Sequence, residues 1–223
     1  MEMKKFNVGL ALLVLAICAL LSLSPVNAYA DTATLTLESA GPSYGGEQVY
    51  PYDFSINSSS TYTPLMCLSL NDKISFGETW TATIEKISSF TGTSLTEYEE
   101  AAWLFNDANI AIAANNPTRQ EDDQWAAWEV FAGTVTTPDN GAATQLTAAQ
   151  NAVSNGLLPS FYNNFVIYVP VSGSQPSGDG IPQTFIGEQN FSGGQTPEPA
   201  SMVLLGTGML GLAAFSYRRK RLA

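Results

Sequence analysis

One cysteine and one glutamine carry the most reactive chemistry that this sequence offers. Cys67 lies in the apolar run PLMCLSL, and Gln124 lies further along the chain in EDDQWAAWEVF. A cysteine thiolate can attack the carboxamide carbon of a glutamine, expel ammonia and leave a thioester that acylates an incoming amine or hydroxyl. The pair therefore predicts an internal Cys67–Gln124 thioester, which would remove a free thiol and a buried amide together.

The surroundings of Gln124 favour this chemistry. With about 100° of rotation per residue, a helix places Gln124, Trp128 and Phe131 on one stripe. A carboxamide on an aromatic face is unfavourable unless it is paired. Trp125, Trp128 and Phe131 are expected to exclude water from the thioester, which survives only in a dry site.

Cys67 is the only cysteine that export would leave in the chain, so an internal disulfide is excluded. Two other readings stay open. A lone cysteine in an apolar strand is often a small buried hydrophobe, and Gln124 could face solvent or pair with backbone. In either case the tryptophans are core residues.

MCLSL and DQWAAWEVF are similar to the two halves of the thioester domains of bacterial surface adhesins, and the resemblance covers about residues 49–171. It implies that Cys67 and Gln124 are the cross-linked pair and that Trp128 is the tryptophan of the second motif. It also implies a covalent adhesion function.

Other chemistries fit less well. The chain has no histidine, which excludes Ser-His-Asp and Cys-His catalysis and every histidine-containing metal site. The pairs Glu99–Glu100 and Asp122–Asp123 do not suit glycosidase chemistry, because adjacent helical residues do not face each other. Calcium binding stays open, although no EF-hand spacing is present. We expect no cofactor, no defined metal site and no enzymatic turnover.

Periodicity predicts strands on both sides of a helical middle. The predicted strands are residues 33–38, 49–56, 64–70, 75–87, 165–171 and 182–191. A helix is predicted after a Thr96–Glu99 capping box, a second with Glu121, Asp122 and Asp123 in its first turn, and a third over residues 147–156. The expected fold is α+β for residues 31–191, a β-sandwich or barrel-like sheet with a helical insertion of two to three helices.

Residues 1–30 have the three parts of a secretory signal peptide. The basic start MEMKK precedes the apolar run VGLALLVLAICALLSL, and small residues at Ala28 and Ala30 follow. We expect cleavage after Ala30. A lipoprotein signal does not fit, because Ile17 precedes Cys18 and Cys18 lies deep in the apolar run.

The C-terminus has three parts as well: a linker with a proline motif (192–199), an apolar segment (200–217) and a basic tail (218–223). The motif is Pro197-Glu198-Pro199, and the basic residues of the tail are Arg218, Arg219, Lys220 and Arg221. Met202 to Phe215 is apolar but shorter than the about 20 residues that span a bilayer. The basic cluster would hold this end in the cytoplasm.

This pattern closely resembles the PEP-CTERM sorting signal. The resemblance implies processing by an exosortase, a membrane-embedded enzyme of Gram-negative bacteria that make exopolysaccharide, after transient anchoring in the inner membrane. A plain C-terminal membrane anchor is the alternative.

The composition of the body, residues 31–198, restricts its partners. All but one of the 20 acidic side chains lie there, against three of the nine basic ones, Lys73, Lys86 and Arg119. Such a negative charge argues against nucleic acid and anionic lipid as binding partners. We expect an exported surface or extracellular-matrix protein that links covalently to amines or hydroxyls. The alternative is a non-covalent structural component of the exopolysaccharide matrix.

Overall fold

Alternating apolar and polar side chains build the first strand. The stretch TATLTLESA forms β1 (Thr32–Ala40), in which Ala33, Leu35 and Leu37 are buried and most of the residues between them are not. A period of two is what a strand with one covered face requires. The fold comes from a computed structural model that describes residues 31–133, 135–138, 140–174 and 182–189.

In the described chain β1 is followed by β2 (Ser43–Tyr44), β3 (Glu47–Gln48), β4 (Tyr52–Ile56), β5 (Tyr62–Cys67), β6 (Thr79–Lys86), β7 (Phe165–Pro170) and β8 (Phe185–Glu188). Six of these strands close into a barrel in the order β1-β4-β5-β8-β7-β6, with every neighbouring pair antiparallel. Closure removes the exposed edges that an open sheet would present. The two short strands β2 and β3 pair with each other as a separate hairpin.

Aromatic side chains fill the barrel. The ring of Phe185 lies 4.8 Å from that of Phe54 and 5.6 Å from that of Tyr52, and Phe54 meets Trp80 at 5.6 Å, all edge to face. Such pairs stabilise a core beyond the area that they bury. The interior of the barrel is therefore a packed core.

The segment between β6 and β7 is helical. It contains a 3₁₀ turn (Ile87–Ser89), α1 (Gly92–Ala113), α2 (Pro117–Ala132), α3 (Gly141–Ser154) and the short α4 (Pro159–Tyr162). α2 packs against α1, α3 and strand β5. Together with α1, which contacts β8, it joins the helical layer to the barrel.

The start of α2 is set by Asn116 and Pro117. The Asn116 side chain accepts a hydrogen bond from the backbone N–H of Arg119 at 3.2 Å, and Pro117 takes the first helical position, where no N–H is needed. The prediction that Glu121, Asp122 and Asp123 lie in the first turn is wrong, because the helix begins earlier than predicted. Of these, Asp122 and Asp123 are buried.

The predicted α+β fold with a helical insertion is confirmed in its barrel-like form. The six barrel strands and the three longer helices overlap predicted elements, although α1 begins before the predicted Thr96–Glu99 box. The hairpin of β2 and β3 was not predicted.

No helix in the described part of the chain is long and apolar enough to cross a bilayer. The residues of the predicted signal peptide (1–30), linker (192–199), apolar segment (200–217) and basic tail (218–223) lie outside the described part of the chain.

Candidate functional site

Cys67 is the last residue of β5 and is fully buried. Its register partner on the neighbouring antiparallel strand is Phe185, the first residue of β8. Its thiol donates a hydrogen bond to the carbonyl oxygen of Ser69 at 3.3 Å. The side chain is therefore fixed at the end of the strand, where α2 packs against β5.

α2 brings Gln124 to the same place. The side-chain nitrogen Nε2 of Gln124 donates to the backbone oxygen of Cys67 at 2.7 Å, and Gln124 is also fully buried. One turn further along the helix, the indole Nε1 of Trp128 donates to Sγ of Cys67 at 3.4 Å. The fold thus places the predicted thiol, the predicted amide and the predicted tryptophan in one buried site.

The amide of Gln124 is only half satisfied. In the described part of the protein, its oxygen Oε1 is buried and receives no hydrogen bond. A buried acceptor without a donor costs about 1–3 kcal/mol. This unpaired oxygen therefore costs stability in the core.

The environment of the thiol disfavours its ionised form. Burial is the main reason that the pKa of Cys67 is raised to about 12, and the charges of Asp72 and Glu47 act in the same direction. The indole N–H of Trp128 opposes this shift, because it stabilises negative charge on sulfur. At neutral pH the site holds a thiol with one donor aimed at its sulfur.

The aromatic residues that were predicted to exclude water divide into two groups. Trp128 lies beside Cys67, and Trp125 packs edge to face on Trp128, with ring centroids 5.0 Å apart. Phe131 is half-buried and packs on Tyr98 of α1 at 5.2 Å, which in turn contacts Phe90. The two tryptophans thus form one group that reaches Cys67 through Trp128, and Phe131 belongs to a separate aromatic cluster.

Sequence reasoning missed the groups that hold this site from the barrel side. The Nε2 of Gln183, just before β8, donates to the carbonyl oxygens of Ser69 and Asp72 at 3.0 and 2.5 Å, which fixes the loop after Cys67. The hydroxyl of Tyr52 donates to the carbonyl oxygen of Gln48 in the hairpin. Only the spacing of turn residues around Gly45 could have pointed to the hairpin.

A second buried polar cluster lies on another side of α2. Arg119 binds Asp107 of α1 through two guanidinium nitrogens, the Nε at 2.6 Å. The carboxyl of Asp123 faces that of Asp107, and no N–H or O–H group among the described residues donates to it. Burial, followed by the charge of Asp107, raises the pKa of Asp123 to about 9.

Asp123 is thus protonated at neutral pH and can share its proton with Asp107. The cluster joins α1 to α2.

The other candidates form no site in the described residues. Burial raises the pKa of Glu99 and of Glu100, but the two lie side by side on α1, as expected. No group of three or more acidic, histidine or cysteine side chains in this part of the chain could hold a metal ion. The residues of the sorting motif and the basic tail lie outside it.

A comparison with known protein families identifies the signal at the C-terminus. Residues 195–220 match the PEP-CTERM protein-sorting motif. The protein is therefore an exosortase substrate, secreted after transient membrane anchoring through its C-terminal region. No curated protein and no solved structure matches the chain. The comparisons therefore give no support to the resemblance of the body to thioester domains, which stays a prediction from the motifs MCLSL and DQWAAWEVF.

Proposed function

We propose that the exported domain forms an internal thioester between Cys67 and Gln124 and uses it once to attach itself covalently to an amine or hydroxyl outside the cell. The observation that carries this proposal is the buried hydrogen bond from the Gln124 side chain to the backbone carbonyl of Cys67. Residues from a barrel strand and from a helix, far apart in sequence, contact each other through this 2.7 Å hydrogen bond.

Formation of the bond balances without any further reactant. Sγ of Cys67 bonds to the carboxamide carbon of Gln124, the thiol proton passes to the amide nitrogen, and ammonia leaves as the carbon–nitrogen bond breaks. With the thiol pKa raised to about 12, proton transfer must accompany carbon–sulfur bond formation. The indole N–H of Trp128 stabilises the charge that develops on sulfur.

The same environment favours survival of the product. Both residues are fully buried, and Trp128, with Trp125 packed on it, lies beside the sulfur. A sulfur whose thiol has a high pKa is a poorer leaving group, so spontaneous hydrolysis is slowed.

Acyl transfer completes the proposed function. An amine or hydroxyl attacks the Gln124 carbonyl carbon, the carbon–sulfur bond breaks, and Cys67 recovers a proton from the nucleophile. Each molecule reacts once, so the protein is a covalent adhesin rather than an enzyme. Sorting by an exosortase delivers it to the cell envelope or the matrix, where amines and hydroxyls of neighbouring cells and exopolysaccharide are the targets.

Intact mass measurement tests this proposal on the secreted, signal-cleaved protein. We expect the mass to fall one ammonia short of the sequence, with Cys67 resistant to alkylation after denaturation. Methylamine should add its mass at Gln124 and release an alkylatable Cys67. Cys67→Ala should abolish both the mass deficit and the labelling, and Gln124→Glu should abolish the labelling.

A full unmodified mass, with Cys67 alkylated freely in the denatured chain, would overturn the thioester. It would leave the alternative, a non-covalent structural component of the matrix whose Cys67 is a buried hydrophobe.

A further inference from the structure

The hairpin of β2 and β3 stands apart from the barrel and lies over the Cys67 side of the domain. Its strands pair as Ser43 with Gln48 and Tyr44 with Glu47, and its tip is Gly45-Gly46. Most of its residues are exposed, but Tyr44 packs against the core. Two short strands cannot be stable alone, so contacts with the rest of the domain must hold the hairpin down.

Two such contacts lead directly to the reactive site. The backbone of Gly45 approaches Trp125 so closely that a Cβ there would lie 2.8 Å from atom Cζ2 of the indole ring and 2.4 Å from Cγ of Pro138. Trp125 packs on Trp128, whose indole donates to Cys67. The hairpin tip therefore covers the aromatic pair that covers the thiol.

The second contact comes from the barrel. Tyr52, whose ring packs on Phe185 beside Cys67, donates its hydroxyl to the carbonyl oxygen of Gln48 in β3. The Glu47 carboxylate is near enough that its charge raises the pKa of both Cys67 and Tyr52. The hairpin thus lies against the site from the barrel side as well as from α2.

We infer that the hairpin, residues 43–48, is a lid over the Cys67–Gln124 site, and that it must lift before a molecule from solvent can reach the buried sulfur or the acyl carbon. Neither atom is accessible while the hairpin is closed, because Cys67 and Gln124 have no exposed surface. The biological role of this lid rests on the proposed thioester. The test of the lid does not, because the hairpin covers a free thiol equally well.

The two glycines of the tip supply a matched pair of variants. Both have positive φ, 64° for Gly45 and 94° for Gly46, so alanine strains the backbone at either position. Only at Gly45 does the added methyl collide with Trp125 and Pro138, whereas at Gly46 it meets nothing within 4 Å. Gly45→Ala should therefore push the lid open, while Gly46→Ala controls for strain. Tyr52→Phe opens the lid in a second way, by removing the hydroxyl that binds Gln48.

The rate of attack on the native protein is the measurement. If the mass shows a thioester, the rate is that of methylamine incorporation at Gln124. If the mass is that of the unmodified chain, it is the rate of Cys67 alkylation by iodoacetamide under native conditions. We expect Gly45→Ala to raise the rate about tenfold, as overpacking destabilises the closed lid, and Tyr52→Phe to raise it about threefold. Gly46→Ala should stay within about twofold of the unchanged protein.

Ile87→Val, a buried change in the 3₁₀ turn, should lower stability without changing the rate. The inference that the hairpin is a lid would be refuted by equal rates for the unchanged protein, Gly45→Ala and Gly46→Ala. It would also be refuted if the rate rose as much in Ile87→Val as in Gly45→Ala. A missing mass deficit would overturn only the proposed thioester, since the alkylation rates still decide whether the hairpin is a lid.

Discussion

Replacing Asp123 by asparagine should stabilise the protein at neutral pH, although it removes a buried polar residue of the native sequence. Burial and the charge of Asp107 raise the pKa of Asp123 from 3.8 to about 9. The folded chain therefore keeps a proton that the unfolded chain releases. An asparagine holds no such proton, and its Nδ2 can donate a hydrogen bond to Asp107 without one.

The sign follows from proton linkage. Between pH 3.8 and about 9 the native state binds one more proton than the unfolded state, so the free energy of unfolding falls as pH rises. The slope for one group is about 1.4 kcal/mol per pH unit. From about pH 5 to pH 7 the unchanged protein should thus lose up to about 2.7 kcal/mol from Asp123.

Urea unfolding at several pH values measures this effect. Asp123→Asn should be about 2–4 kcal/mol more stable than the unchanged protein at pH 7 and should have a flatter pH dependence. Asp31→Asn, an exposed residue, controls for the change in net charge. If Asp123→Asn is less stable at pH 7, or if its pH dependence equals that of the unchanged protein, the reasoning about the buried acid pair is wrong.

Two further predictions concern the site and the barrel. Trp128→Phe keeps an aromatic ring beside Cys67 but removes the N–H that donates to its sulfur. Ammonia loss after refolding should therefore slow about tenfold, and intact mass measured over time gives its rate. Gly187→Ala would place a Cβ 2.3 Å from Cδ2 of Leu65, so urea unfolding should show a loss of about 1–3 kcal/mol. Leu65→Val in the same chain should restore part of that stability, and no recovery would argue against this contact as the cause.

Most strands and the helical layer could be predicted because their signals are local. Alternation marks β1, the β-branched run marks β7, and Gly133 marks the end of α2. Closure into a barrel could not be predicted, because it depends on the pairing of β1 with β6, strands that are distant in sequence. The hairpin is too short to show periodicity.

The buried acids show why part of the candidate site was out of reach. EDDQ looks like a polar helix start when only neighbours in sequence are considered, and adjacent carboxylates usually face water. Here α2 is covered by α1, α3 and β5, so Asp123 meets Asp107 while Gln124 meets Cys67. Helical periodicity in a sequence predicts a helix with one buried face and one exposed face. It cannot predict a helix such as α2, which is covered by three other elements.

The same geometry bears on why a glutamine stands at position 124. One turn earlier, Gln120 is also buried, and its Nε2 donates to the backbone oxygen of Tyr50, as Gln124 does to that of Cys67. The two glutamines thus share a donor role that joins α2 to the barrel side. Only Gln124 is followed one turn later by an indole that donates to a thiol. Gln120 is therefore the internal control for a purely structural glutamine. Methylamine should label Gln124 and leave Gln120 unmodified, because no sulfur is placed to activate the Gln120 amide.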